Sequence, residues 1–190
     1  MNNIFKSVLA GLAIGLGGTV FVMADNKFVG SFLFSFGLLS VLLREYKLFT
    51  GWVAWAEKED CVTGAKMLLF NLIGAIIAGL MFGGWATPND TMIATKLAQS
   101  PWQTFLKSVG CGICMYLAVS GWKRDKNVFA VIMGVTLFII AGFEHCIADM
   151  FYFVAARTPF LKIIPFMIVA ILGNTVGAQA TRRLSCEEIS

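Results

Sequence analysis

Charge is scarce in this chain. Only 14% of the 190 residues are Asp, Glu, Lys or Arg, against 58% hydrophobic, and the mean hydropathy is +0.78. A soluble domain carries about 25% charged and 45–50% apolar residues. Too little polar material is present to cover a water-facing surface, which argues against a soluble enzyme and against a sizeable extramembrane domain. Histidine is rarer still, with His145 alone. The five cysteines (Cys61, Cys111, Cys114, Cys146, Cys186) are odd in number and scattered, which speaks against a disulfide framework or paired zinc knuckles. Cys111-x-x-Cys114 sits in an apolar segment and reads as two small buried thiols. The net charge of +4 is spread over short loops without a basic patch, so nucleic acid is not an expected partner. Neither a cofactor nor a metal is expected, because Glu144, His145, Cys146 and Asp149 cannot all converge on one ion from a regular helix.

What the chain does have is apolar sequence in span-sized lengths, roughly 7–24, 28–43, 67–85, 103–122, 128–154 and 160–180. A membrane-spanning helix needs about 20 residues, so six use about 120 and leave only short connections. The expectation is a single six-span channel domain over 1–190. Lys6 and the apolar run to Ala24 have the outline of a cleaved leader, but the repeat described next favours a retained first helix. Basic residues set the orientation. Lys6, Lys58, Lys66, Lys123, Arg124, Lys126, Arg182 and Arg183 fall on one side. Lys27, Lys96, Arg157 and Lys162 fall on the other, with Lys107 just inside a span. This predicts both termini in the cytoplasm, in the cytoplasmic (inner) membrane.

The two halves resemble one another. Lys6-Ser7-Val8-x-x-Gly11 recurs as Lys107-Ser108-Val109-x-x-Gly112, and Asn71-x-x-Gly74 as Asn174-x-x-Gly177. With three spans per half, about 1–86 and about 101–183, the repeat is inverted. The middle span of each half is interrupted, by Arg44-Glu45-Tyr46-Lys47 and by Glu144-His145 with Asp149. Paired interruptions in an inverted repeat point to a transport site, since broken backbone at membrane depth is tolerated where it lines a cavity or is buried in protein. The predicted fold is therefore an all-α membrane protein, six transmembrane helices in an inverted 3+3 repeat with the second and fifth broken. Ionisable groups at this depth mark ion or proton routes by default, which singles out His145.

Gly142-Phe143-Glu144-His145-Cys146-Ile147-Ala148-Asp149-Met150 resembles the Gly-Phe-Glu-His-x-x-Ala-Asn-Met signature of the formate/nitrite transporter family. Leu48-Phe49-Thr50-Gly51 is similar to that family's Leu-Phe-Thr loop in the broken second helix. Lys96, Trp102, Phe105, Leu106, Lys107, Cys111 and Leu117-Ala118-Val119 match its fourth-helix pattern in order and spacing. The resemblance implies an aquaporin-like architecture and a homopentamer in the lipid bilayer. Each protomer would pass small monovalent anions such as formate, nitrite or hydrosulfide, together with a proton.

By position, the resemblance makes His145 the central pore histidine and Thr50 its partner, with Glu144 beside them in the proton relay. Lys96 becomes the anion-attracting charge of the outer vestibule. Phe34, Leu38 and Phe138 fall at apolar constrictions, and Leu48 and Phe49 at the inner gate. Asn71, Asn174 and Asp149 are further pore candidates. Departures from the pattern are Trp52 after Thr-Gly, Gly112 for the fourth-helix asparagine and Asp149 for the asparagine of the histidine motif. Asp149, four residues after His145, is expected to alter the histidine's protonation or the substrate preference. The short chain leaves little counterpart to terminal gating segments. The function read here is a pH-dependent channel or transporter carrying these anions as the neutral acid. The alternatives are a neutral-solute pore of aquaporin-like type and an intramembrane enzyme, which would need a nucleophile or metal opposite His145.

Overall fold

Short polar side chains start the helices. Asn2, Asn26, Asn89, Ser100 and Asn127 each accept a backbone N–H from the first turn that follows, satisfying donors that have no partner inside the helix. The computed structural model describes residues 2–185; Met1, Cys186 and the rest of 186–190 lie outside the described residues, as does the side chain of Lys58. Every regular element among the described residues is helical. These are α1 (Asn3–Met23), α2 (Lys27–Leu43), α3 (Phe49–Trp52), α4 (Cys61–Phe82), α5 (Asp90–Leu97), α6 (Pro101–Asp125), α7 (Val128–Ile140), α8 (Cys146–Ala155) and α9 (Phe160–Leu184). Short 3₁₀ turns at Val53–Trp55 and Lys58–Asp60 join α3 to α4. Four of these helices, α1, α4, α6 and α9, are long and apolar enough to cross a membrane, while α2, α7 and α8 are shorter apolar pieces.

The recurring glycines let backbones touch. A Cβ on Gly11 would lie 2.0 Å from the Asn71 carbonyl oxygen, and one on Gly74 2.1 Å from that of Val8, so α1 and α4 meet without side chains between them. In the second half, Gly112 faces the Asn174 carbonyl at 2.4 Å and Gly177 faces that of Val109 at 2.1 Å, joining α6 to α9. Small residues at a helix contact are how apolar helices pack closely in lipid, where the hydrophobic effect between them is absent. The departure at Gly112 thus has a packing reason. Gly112→Val should destabilise the protein by about 3 kcal/mol or more, since backbone cannot yield as a side chain can. The check is the midpoint of unfolding in detergent, and an unchanged midpoint contradicts the packing.

α2 packs on α1 and on α7, which in turn packs on α6. The short pieces cross over: α8 lies against α4 and α1, and the Val53–Trp55 turn lies against α9. Both interruptions are built alike. At the end of α2, Tyr46 N–H donates to the Val41 carbonyl at 2.9 Å with Glu45 at φ 52°; at the end of α7, Phe143 N–H donates to the Phe138 carbonyl at 2.9 Å with Gly142 at φ 69°. This closure caps the last carbonyls of a helix and needs one left-handed residue, usually glycine. Gly142 takes that conformation freely, whereas Glu45 bears a cost of about 1–2 kcal/mol. Extended residues then restart the helix, Leu48 before α3 and His145 before α8.

Candidate functional site

Two asparagines hold the interruptions in place. Asn71 Oδ1 accepts Phe49 N–H at 2.7 Å, while its Nδ2 donates to the carbonyls of Ser7 and Lys47 at 2.8 and 2.7 Å. Asn174 repeats the pattern: Oδ1 accepts Cys146 N–H at 3.0 Å, and Nδ2 donates to the carbonyls of Ser108 and Glu144 at 2.9 and 2.8 Å. Each amide ties an interrupted segment to the first helix of its half and satisfies backbone groups that the break orphans. The polar atoms of Asn71 and Asn174 are committed to backbone, so the structure makes them clamps and places neither on the cavity wall described below.

His145 caps α8. Its Nδ1 accepts Ala148 N–H at 3.2 Å, and its Nε2 lies 2.9 Å from Thr50 Oγ1. An accepting Nδ1 leaves the ring proton of neutral imidazole on Nε2, so Nε2–H donates to Thr50. The contact joins the two interrupted segments, 95 residues apart in sequence. The Phe138 ring stacks on His145 with centroids 5.5 Å apart, and Phe34 meets Phe138 edge-on at 6.0 Å. Leu38 and Leu48 are buried in the same apolar cluster as Phe34 and Phe138. Phe49 is buried in a separate cluster with Met67 and Tyr116.

A cavity of about 470 Å³ adjoins this histidine. Its wall runs from exposed rim residues, Lys27 and Asn89 among them, to the buried side chains of Lys96, Glu144, His145 and Asp149. Phe138 lines it; Phe34, Leu38, Leu48, Phe49 and Thr50 do not. Lys96 comes from α5, between the long helices α4 and α6, and is 9% exposed. Its Nζ donates to Glu144 Oε2 and, at 2.8 Å, to Asp149 Oδ1. Burial works against its charge, and the Asp149 and Glu144 carboxylates outweigh burial, holding the ammonium above its ordinary range. Gln99 Nε2 donates to the other Glu144 oxygen at 2.7 Å, and Lys107 Nζ reaches it at 4.0 Å.

The structure therefore brings Thr50 to His145, and Lys96, Glu144 and Asp149 to one another on the wall that His145 shares. Lys96 is held by two carboxylates; of the other lysines on this wall, Lys107 reaches Glu144 at 4.0 Å and Lys27 donates to the Ile140 carbonyl. Asp149 directs a carboxylate oxygen to Lys96 rather than to His145, whose ring nitrogens are engaged by Ala148 and Thr50. Sequence reasoning missed Gln99, Tyr152 and Lys27. Gln99 stands in a polar stretch with no motif. Tyr152 reads as one more apolar residue of the fifth span, though Lys96 Nζ lies 5.6 Å from its ring centre.

Such a fold and such a site define a helical protein with span-length apolar helices and a cavity walled by buried ionisable side chains. The family model described as Formate/nitrite transporter matches residues 1–182. The chain belongs to the formate/nitrite transporter family, a family of membrane transport proteins. It is 30% identical over 149 residues to Formate channel FocA of Haemophilus influenzae, covering 66% of this chain and 52% of that one. Formate channel FocA of Escherichia coli K12 is 27% identical over 162 residues, 72% of this chain and 55% of the relative. Uncharacterized transporter YrhG of Bacillus subtilis is 25% identical over 179 residues, 80% and 67%. The chain thus spans between about half and two thirds of the length of these relatives. Among solved structures, an FNT family ion channel superposes with a TM-score of 0.86 at 22% identity, over 96% of this chain and 87% of that one. A structure titled "Pentameric formate channel with formate bound" superposes with a TM-score of 0.80 at 23% identity, over 96% and 94%. At these identities the likeness is one of fold.

Proposed function

We propose that this protein is a channel or transporter for small monovalent anions, formate, nitrite or hydrosulfide, which cross its apolar constrictions as the neutral acid. The observation that carries this reading is the His145–Thr50 contact of 2.9 Å, made by both interrupted segments, beside a cavity that reaches His145 from an exposed rim. In this reading 1–190 is one domain of six spans in an inverted 3+3 repeat, with α2 and α3 forming one interrupted span and α7 and α8 the other. Matching asparagine clamps and glycine contacts in the two halves support the repeat. Both termini face the cytoplasm, and five copies assemble in the cytoplasmic membrane, each with its own pore; the pentameric title of the second solved structure supports the assembly.

Magnitudes favour the neutral acid. Stripping water from an isolated carboxylate costs tens of kcal/mol on the idealised Born scale. Protonating formate at neutral pH, with a carboxyl pKa near 3.5–4, costs only about 4–5 kcal/mol. Lys27, Lys107 and Lys96 draw the anion into the cavity, Lys96 with its charge shared between two carboxylates. His145 and Thr50 then orient the solute by hydrogen bonding and relay a proton, with Glu144 on the same wall. Phe34, Leu38 and Phe138 form one apolar barrier, and Leu48 and Phe49 the other. Each barrier excludes the hydrated ion.

His145→Asn keeps a polar side chain at the break but lacks an imidazole that can take up and release a proton. Formate flux into liposomes carrying this variant should lose its pH dependence beyond that of the acid's own ionisation. Retention of the full parental pH profile removes His145 from the mechanism.

A further inference from the structure

The cavity wall carries more negative charge than its buried cation can offset. Glu144 and Asp149 are 2% and 1% exposed, and both accept from the one Lys96 ammonium. Accepting from the same nitrogen puts the two carboxylates side by side. Glu144 is otherwise provided for, by Gln99 at 2.7 Å and by its backbone carbonyl's bond to Asn174. Asp149 is not: its Oδ2 is buried and has no hydrogen-bond partner among the described residues. A buried carboxylate oxygen without a donor is a strong anomaly, and this one belongs to a residue of the cavity wall.

The groups around the pair do not resolve it. Lys107, on α6, has a side chain that is 28% exposed and reaches only Glu144, at 4.0 Å, so water screens it. Lys27 stands on the exposed rim and donates to the Ile140 carbonyl. His145 has both ring nitrogens engaged. The remaining titratable neighbours, the thiols of Cys111 and Cys146 and the Tyr152 hydroxyl, bear on Asp149 only as further acids; none supplies positive charge. Where two buried carboxylates meet one ammonium, the species that balances charge is a proton held between them.

We propose that Glu144 and Asp149 form a proton-binding site that holds one shared proton beside Lys96 and hands it to an anion entering the cavity. The shared proton gives Asp149 Oδ2 its missing hydrogen-bond partner and leaves the three-residue cluster neutral. In the transfer, the carboxyl O–H bond breaks, its electron pair stays on the carboxylate, and the anion's oxygen or sulfur lone pair takes the proton. The solute leaves as the neutral acid, and the pair is recharged by a proton from the water of the cavity. The pair is then the net source of the proton, while His145 and Thr50 orient the solute and relay the proton between pair and solute. Asp149 is the residue that makes this chain differ from the Asn of the family motif, so a proton store at this position is a property of this chain. The transport half of the proposal rests on the reading under Proposed function; the proton itself does not.

The test is infrared spectroscopy of the full-length protein in liposomes, with isotope label in the side-chain carboxyls of Asp and Glu. The parent protein should show, at neutral pH, a labelled C=O stretch of the kind only an undissociated carboxyl gives. Sharing requires both partners, so Asp149→Asn and Glu144→Gln should each lose the band, since the remaining carboxylate has Lys96 to itself. A parent spectrum without the band overturns the proposal, and this arm needs no variant to fold. A band that survives in Glu144→Gln overturns sharing and leaves a proton on Asp149 alone. Formate uptake by the same liposomes separates the two levels: the band with no uptake supports the proton site and overturns the anion-channel reading.

Discussion

Lys96→Ala cuts formate uptake by on the order of 100-fold at low formate concentration, and part of that loss returns when Asp149→Asn is added. Removing the ammonium leaves the Glu144–Asp149 pair, even with its shared proton, as a net negative charge on the buried part of the wall, which Lys107 reaches only at 4.0 Å and Lys27 only from the exposed rim. Breaking a buried pair by deleting one partner costs about 3–5 kcal/mol. Repulsion of an incoming anion by about 3 kcal/mol lowers its entry on the order of 100-fold, at about 1.4 kcal/mol per decade. Adding Asp149→Asn confines that charge to Glu144, which Gln99 and Lys107 reach, so part of the repulsion is relieved and the two substitutions are non-additive, as expected for residues in direct contact. The check is initial uptake of labelled formate by proteoliposomes across the four variants of the cycle. Uptake unaltered in Lys96→Ala, or strict additivity, contradicts the shared-charge arrangement.

The second large effect is structural. Asn174→Leu keeps the branching of the side chain, yet it leaves Cys146 N–H and the Glu144 carbonyl without a partner in a buried setting and removes the tie to the Ser108 carbonyl of α6. A buried polar group left without a partner costs about 1–3 kcal/mol, so the expected loss for two groups is about 2–6 kcal/mol. That range reaches the lower end of the whole stability of many proteins, about 5–15 kcal/mol. Asn71→Leu acts the same way on Phe49 N–H and the Lys47 carbonyl and removes the tie to the Ser7 carbonyl of α1. Both variants should fail to give monodisperse protein by size-exclusion in detergent. Well-folded Asn174→Leu with a parental unfolding midpoint contradicts the clamp.

How much of this was legible in the residues depends on how each signal is written. The interruptions were legible because charge in apolar sequence is conspicuous, and 44–47 and Glu144-His145 mark where α2 and α7 end. The matching helix contacts were legible because the closest backbone approach leaves no room for a Cβ, which left Gly11, Gly74, Gly112 and Gly177 as a pattern. The role of Asn71 and Asn174 was not. An asparagine in a span looks the same whether its amide faces a solute or closes a break, and only the hydrogen-bond partners decide. Lys96 posed the opposite problem. Its sequence neighbours are polar, so it reads as a solvated charge at a mouth. Its carboxylate partners are 48 and 53 residues away. The Thr50–His145 pairing came from the family resemblance, since neither residue's own neighbourhood names the other.

The central claim is that the solute crosses as the neutral acid. It is tested most directly by measuring, in the same proteoliposomes, formate entry, internal acidification and membrane current. One proton should enter with each formate, with no net current carried by formate and uptake insensitive to an imposed membrane potential. A current proportional to formate entry, with no acidification, would mean that the bare anion crosses and would contradict the account.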